Sequence, residues 1–183
     1  MKLQTVVRCC CLWLLVLFCL AASAADAAKK AALKCGALHP VQYQVIEPWR
    51  GTWDVKAVNR QQPATEVTYA ETYDWVLDRC YLRSETSRKW DGGQSMSMVW
   101  FDALTKNYRF VIFDASGGAV ELPPPAWDET TQTMEWKSSR LAPFSYAAYV
   151  TSKDRDTIQW GSPWKKWDGT VIIDLDGIST HRK

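Results

Sequence analysis

The chain has 183 residues, 47% of them hydrophobic and 23% charged, with 22 basic residues against 20 acidic ones. That is about one domain's worth of globular chain, neither disordered nor collagenous, and without a basic stripe nothing suggests a nucleic-acid partner or an anionic membrane surface. Eleven tryptophans are the exception to an ordinary composition; large rings pack well on pleated, half-buried surfaces and favour a β protein with a crowded interior.

The first segment has three parts: Lys2 and Arg8 give a positive start, Cys9 to Leu20 an apolar stretch, and Ala22-Ser23-Ala24 a small-residue cleavage site. Together residues 1–24 read as a secretory signal peptide. The apolar stretch is shorter than the ~20 residues a membrane span needs, and no later segment approaches that length. The expectation is a soluble protein exported to the periplasm or the extracellular space. A lipid anchor at Cys19 is disfavoured by the bulky Phe18 before it. Cleavage removes Lys2 and Arg8 and leaves 20 basic against 20 acidic residues, a net charge near zero.

The signal also takes Cys9, Cys10, Cys11 and Cys19, leaving Cys35 and Cys80. Two thiols in an oxidising compartment suggest one disulfide. Closing that loop would stabilise the fold by about 4 kcal/mol in the chain-entropy treatment. Two unpaired thiols are the other reading.

Residues 25–40 form an Ala- and Lys-rich tail, and 41–183 the domain proper. Val41, Val45, Ile46 and Trp49 recur at helical spacing before Pro48 limits extension, which fits either a short helix plugging one barrel end or an irregular lead-in. From Thr52 the pattern turns to period two, and ten strands are expected. They are Thr52 to Arg60, Thr65 to Trp75, Cys80 to Trp90, Gln94 to Phe101, Asn107 to Asp114, Gly118 to Leu122, Gln132 to Ser138, Phe144 to Thr151, Thr157 to Lys165 and Thr170 to Arg182. Most breaks between them are short enough for hairpins. The long break from Pro123 to Thr131 opens on three prolines, which stiffen the loop before Trp127. Sequential antiparallel strands in this number expose edges unless they close, so the predicted fold is all-β, an up-and-down antiparallel barrel.

Alternation assigns the faces. The expected interior includes Trp53, Val55 and Ala57, then Tyr69 and Tyr73, Met96, Met98 and Trp100, Phe110 and Ile112, Met134 and Trp136, Tyr146 and Val150, and Ile158, Trp160 and Trp164. Ser95 and Ser97 are placed outside. Trp160, Trp164 and Trp167 also suggest a carbohydrate-stacking platform, but interior parity at two of the three favours core packing. Glu71 interrupts the apolar face between Tyr69 and Tyr73, and Arg83 and Glu85 share the aligned face of the next strand. A buried carboxylate needs a partner. Two accounts stand: structural, as a Glu71–Arg83 ion pair or a residue near the barrel mouth, or functional, as a polar anchor at the bottom of a ligand pocket. The candidate pocket is Tyr69, Glu71, Tyr73, Arg83, Met96, Met98, Trp100, Phe110, Trp136, Tyr146 and Trp160, mostly apolar with a few placed polar groups.

A family resemblance rests on Arg50-Gly51-Thr52-Trp53-Asp54-Val55, a Gly-x-Trp that opens the first strand as in lipocalin and wider calycin barrels. Val76 to Leu82, the turn Asp102 to Asn107 leading to Tyr108, Trp127 to Met134, and the closing Ser179-Thr180-His181-Arg182-Lys183 resemble a bacterial family of unknown function, domain 1579 (DUF1579). The likeness spans roughly Val41 to Lys183 and implies a lipocalin-like barrel with no activity to carry over. In lipocalins a basic residue of the last strand covers the Gly-x-Trp ring, which implies Arg182 over Trp53 here. Val171, Ile173 and Leu175 are odd while Ile178 and Arg182 are even, so both sets face inward only with a bulge at Asp176-Gly177.

That bulge turns His181 outward, against a haem-binding reading by likeness to nitrobindins, in which a histidine near the C-terminus is the axial ligand. His39 has no partner spacing. No metal cluster, phosphate-cradling loop or nucleophile elbow is visible, so no cofactor is expected. Three function classes follow: non-catalytic binding of a small hydrophobic or amphipathic molecule in the barrel, a solidly packed structural or interaction protein of the cell envelope, and an enzyme using Glu71 with Tyr69 or Tyr73 as acid–base groups. Binding is preferred, and an enzyme is the less favoured reading. The oligomeric state is not legible.

Overall fold

The computed structural model describes residues 39–61, 63–89, 92–141 and 144–183, with backbone only between 137 and 144. The signal segment, the tail to residue 38 and Cys35 lie outside the described residues, so neither export nor the Cys35–Cys80 pairing is addressed by the fold.

The lead-in is helical. Helix α1 (Pro40–Ile46) starts with its proline in the first turn, where no backbone N–H is required. Pro48 cannot continue it, and a 3₁₀ turn (Glu47–Trp49) follows. Its inner side, Tyr43, Ile46 and Trp49, is buried. The Tyr43 hydroxyl donates to the Cys80 carbonyl at 2.8 Å, and the Tyr108 hydroxyl donates to the Gln42 carbonyl at 2.8 Å. The Glu47 carboxylate accepts from Trp75 Nε1 at 2.6 Å and pairs with Arg79 at 2.8 Å. These bonds seat the helix across one end of the strands.

The strands are β1 (Gly51–Asn59), β2 (Thr65–Val76), β3 (Tyr81–Thr86), β4 (Ser95–Asp102), β5 (Asn107–Asp114), β6 (Ala119–Leu122), β7 (Ala126–Asp128), β8 (Thr133–Leu141), β9 (Phe144–Ser152), β10 (Thr157–Lys166) and β11 (Val171–His181). They form one antiparallel sheet in the order β6-β5-β4-β3-β2-β1-β11-β10-β9-β8-β7. The sequence leads to ten strands; the eleventh, β7, lies in the stretch expected to be a loop. β6 is antiparallel to β5 and β7 to β8, so β6 and β7 run in the same direction. They are two halves of one interrupted strand that pair with opposite edges of the sheet. The interruption is Pro123-Pro124-Pro125, three residues with no N–H to give to a ladder. Leu122 of β6 and Trp127 of β7 pack into the same core as Met134 and Trp136, so the sheet curls round a shared interior.

Register decides which side chains enter that interior. Trp53, Val55 and Ala57 of β1 point inward, as do Val67, Tyr69, Glu71 and Tyr73 opposite them on β2. The next hairpin reverses the expected parity. Leu77, Asp78 and Arg79 all adopt positive φ, and this turn pairs Trp75 with Leu82 and Tyr73 with Ser84. The inward residues of β3 are therefore Leu82, Ser84 and Thr86, all buried. Arg83 lies on the outer face and pairs with Glu85 at 3.4 Å, which removes the expected Glu71–Arg83 ion pair.

The inversion carries into β4, where Ser84 pairs with Ser97 and Leu82 with Val99. Val99 is fully buried and Ser97 is 6% exposed, so Met96, Met98 and Trp100 take the outer side, contrary to the sequence reading. Trp100 is covered there by the Arg109 guanidinium, 5.8 Å from the ring centroid; Arg109 is held by Asp102 and Glu121. From β5 onward the expected faces and the observed ones agree at Phe110, Ile112, Trp136, Tyr146, Ile158 and Trp160.

The last strand corrects a second expectation. Leu175 to His181 pairs with β1 residue for residue without a bulge. Gly177, Ser179 and His181 therefore face inward opposite Ala57, Val55 and Trp53, while Ile178 is 51% exposed. An apolar side chain is a one-way marker of burial, and Ile178 misleads as one. Arg182 lies outside and pairs with Asp54. The residue against the Gly-x-Trp ring is His181, its ring centroid 4.9 Å from that of Trp53 in an edge-on arrangement.

Candidate functional site

Between the plug and the barrel wall is a cavity of about 150 Å³. Trp49 contributes from the 3₁₀ turn and Trp53 from β1. Tyr69, Glu71 and Tyr73 come from β2, Phe110 and Ile112 from β5, Trp136 from β8, Tyr146 from β9, and Trp160 and Ser162 from β10. Of the residues singled out in the sequence, Tyr69, Glu71, Tyr73, Phe110, Trp136, Tyr146 and Trp160 meet here. Arg83, Met96, Met98 and Trp100 do not, because β3 and β4 carry the inverted parity.

Room for the cavity comes from small residues on the inner face. Trp160 lies across Gly177, where an added Cβ would meet its ring at 2.7 Å and the Ala57 side chain at 2.8 Å. Trp160 Nε1 then donates to Ser179 Oγ at 3.0 Å. Trp164 Nε1 similarly donates to Ser162 Oγ at 2.9 Å, and Trp53 Nε1 to the Trp49 carbonyl at 2.7 Å. Interior serines thus serve as acceptors for rings that would otherwise bury an unpaired N–H. Trp136 differs. It is almost fully buried, and its Nε1 has no hydrogen-bond partner among the described residues.

The polar side of the cavity is built on Glu71. Removal from bulk water pushes its carboxyl above the ordinary range, while hydrogen bonds from Ser84 and Tyr73 and the charge of Lys89 pull it back. The positive charge that acts on Glu71 is thus Lys89 rather than Arg83. Tyr73 and Tyr69 are both pushed up by burial and by the neighbouring Glu71. Ser84 and Ser97 hydrogen bond to each other at 2.7 Å behind this group. The result is a carboxyl whose pKa burial raises, set among phenols and hydroxyls and facing an aromatic wall.

Trp49, Ser84, Lys89 and Ser162 escape the sequence reading of this site. For Ser84 the signal was present as Leu82, Ser84 and Thr86 alternating with charged Arg83 and Glu85, but it is weak beside the aromatic pattern. No group of three metal-ligating side chains occurs among the described residues. The His181 ring is committed to Trp53 and to the face of Gly51, and His39 packs against Phe101 at 5.3 Å; neither lines the cavity, so the haem reading has no axial ligand there among the described residues. No described helix is long and apolar enough to cross a membrane.

No family model matches the chain, and no curated protein matches it either. Solved structures do resemble it. The S-type phycobiliprotein lyase CPES from Guillardia theta superposes with a TM-score of 0.51 at 12% identity, over 76% of this chain and 92% of that one. Rv2717c from M. tuberculosis gives a TM-score of 0.48 at 10% identity, over 78% and 98%. The redesigned β-barrel mFAP0, solved bound to DFHBI, gives 0.41 at 14% identity, over 74% and 100%. The likeness to the lyase, at 12% identity, is a likeness of fold, and with the sheet order it makes the chain a lipocalin-like antiparallel β-barrel.

Proposed function

We propose that this protein binds a small, partly apolar molecule inside its barrel without transforming it, as an exported protein related to the DUF1579 family. The observation that carries the reading is the cavity itself. A solidly packed envelope protein has no need of a hollow of about 150 Å³ in which a carboxyl and two phenols meet aromatic walls. The test is native mass spectrometry of the protein purified from its own host, compared with the denatured mass. A reproducible mass excess lost on denaturation supports binding; a native mass equal to the polypeptide in material with full tertiary structure overturns it.

Export rests on the three-part segment at residues 1–24 and is tested by N-terminal sequencing of the mature chain, expected to start just after Ala24. The Cys35–Cys80 disulfide is part of the same reading. Cys80 lies beside α1, since its carbonyl accepts from Tyr43, and Cys35 is five residues before Pro40, a span the backbone can cover. Non-reducing peptide mapping should yield one linked peptide pair. Recovery of both cysteines as alkylated thiols without prior reduction overturns the bridge.

A further inference from the structure

Resting on that binding reading, we propose the class of ligand: an organic ammonium, whose cationic nitrogen sits against the Glu71 carboxylate among aromatic rings. The charges of the cavity wall are the first argument. Among the described residues of that wall, Glu71 is the one aspartate or glutamate, and no lysine, arginine or histidine joins it. Lys89, whose charge reaches Glu71, is not part of the wall, and its ammonium donates to Ser95 Oγ at 3.4 Å. A carboxylate is costly to ionise among apolar walls that supply no cation. A guest that brings the positive charge offsets that cost and favours the ionised form.

The rings around the carboxyl are the second argument. Tyr69 and Tyr73 flank Glu71 two residues away on the inner face of β2, and Phe110 of β5 and Trp160 of β10 belong to the same wall. All four are half-buried rather than sealed, as is Glu71, so a guest meets ring surface and carboxylate together. An aromatic face attracts a cation through its quadrupole, more strongly where water is excluded, and clusters of such faces hold quaternary ammonium groups. The same faces and the same carboxylate repel an anion.

Orientation is the third. Tyr73 and Ser84 hydrogen bond to the Glu71 carboxyl, and Ser84 is anchored in turn to Ser97 at 2.7 Å. These partners sit on strands of the sheet, so the carboxyl is already placed before a guest arrives and little ordering is left to oppose binding. A neutral guest of the same shape gains the apolar walls but leaves the carboxylate unmatched, the situation in which polar sites discriminate most strongly.

The experiment compares three probes of one shape on the purified protein: choline, its neutral isostere 3,3-dimethylbutan-1-ol, and the anion 3,3-dimethylbutanoate. Dissociation constants are measured by titration calorimetry, with quenching of tryptophan fluorescence as a second readout. Choline should bind about tenfold tighter than the alcohol, and the anion should not compete with it. Glu71→Gln should weaken choline about tenfold and leave the alcohol unchanged, so that the preference disappears. Phe110→Leu, which keeps apolar volume without the ring, should reduce the same preference about threefold. Equal affinity for choline and the alcohol overturns the cationic class while leaving ligand binding standing. Tighter binding of the alcohol or of the anion does the same, and binding of no probe overturns the proposal outright. The native mass comparison, which presumes no probe, separates that failure from failure of the binding reading. Should Glu71→Gln not fold, the wild-type ranking of the three isosteres decides the question.

Discussion

The His181 imidazole packs edge-on against the Trp53 ring, 4.9 Å between centroids, and fills the space that a side chain at Gly51 would need. Gly51 itself has φ +122°, a conformation essentially closed to residues with a Cβ. The Gly-x-Trp signature is thus one steric unit with the last strand. Gly51→Ala should cost about 1 to 3 kcal/mol through strain and overlap, and His181→Ala about 1 kcal/mol through the lost ring contact. Arg182→Ala, on the outer face, should leave the denaturation midpoint within the scatter of ordinary surface substitutions. Chemical denaturation of the three variants checks the order; a larger loss at Arg182 than at His181 would reverse the assignment.

Glu71 should give stability a distinct dependence on pH. Its folded pKa is raised above the unfolded value, chiefly by burial. The folded state therefore binds the proton more tightly, and this group's contribution is fully present below the unfolded carboxyl pKa and is lost as pH rises through the folded pKa. Glu71→Gln removes the titration. The melting temperature of the variant relative to wild type should rise as pH climbs above the ordinary carboxyl range and through the raised folded pKa. A difference that stays flat, or shrinks toward alkaline pH, contradicts a carboxyl whose pKa is raised by folding. The half-buried Asp102 and the exposed Asp114, Asp128 and Asp168 are lowered by local hydrogen bonds. They act in the opposite sense, in both proteins alike, as pH falls.

Gly177 is the floor beneath Trp160. A methyl group there meets the indole at 2.7 Å and the Ala57 side chain at 2.8 Å, so Gly177→Ala should displace the ring toward the cavity. The expected cost is about 1 to 3 kcal/mol of stability, with loss of choline binding. Near-wild-type stability with unchanged affinity would show that Trp160 does not depend on the missing side chain.

The inverted faces of β3 and β4 are testable by truncation. Leu82 is fully buried, and Leu82→Ala should cost about 2 to 5 kcal/mol. Met98, on the outer face beside Arg83, should cost much less when changed to Ala. The sequence alternation gives the opposite order, and urea midpoints of the two variants distinguish them.

Several features were legible without coordinates. The change from helical to alternating spacing near Thr52 marks the boundary between plug and sheet, because residues 3.6 apart share a helix face and residues two apart share a strand face. Ten of the eleven strands, and their order, follow from the turn residues between apolar runs. The interior roles of Trp53, Glu71, Phe110, Trp136 and Trp160 follow from parity once each strand is treated alone. The two halves around Pro123-Pro124-Pro125 were read as strand and loop because β7 is only three residues long and shows too little alternation to count.

What the sequence by itself determined was the local period of each segment, and with it an all-β barrel whose lead-in could be a helix or irregular; the structure makes it helical. Only the tertiary structure decided how the parities of neighbouring strands are linked. Turn geometry sets that linkage: the positive-φ run Leu77 to Arg79 places Leu82 rather than Tyr81 opposite Trp75, and a slip of one residue moves a whole strand's side chains to the other face. Thus Met96, Met98 and Trp100 are outside although their pattern is that of a core strand. Ser84 and Ser97 are inside because they hydrogen bond to each other there. The same holds for β11, where unbroken pairing with β1 places His181 against Trp53 and leaves Ile178 in water. Hydrophobicity orders residues within a strand, but which face is interior is a property of the pairing between strands.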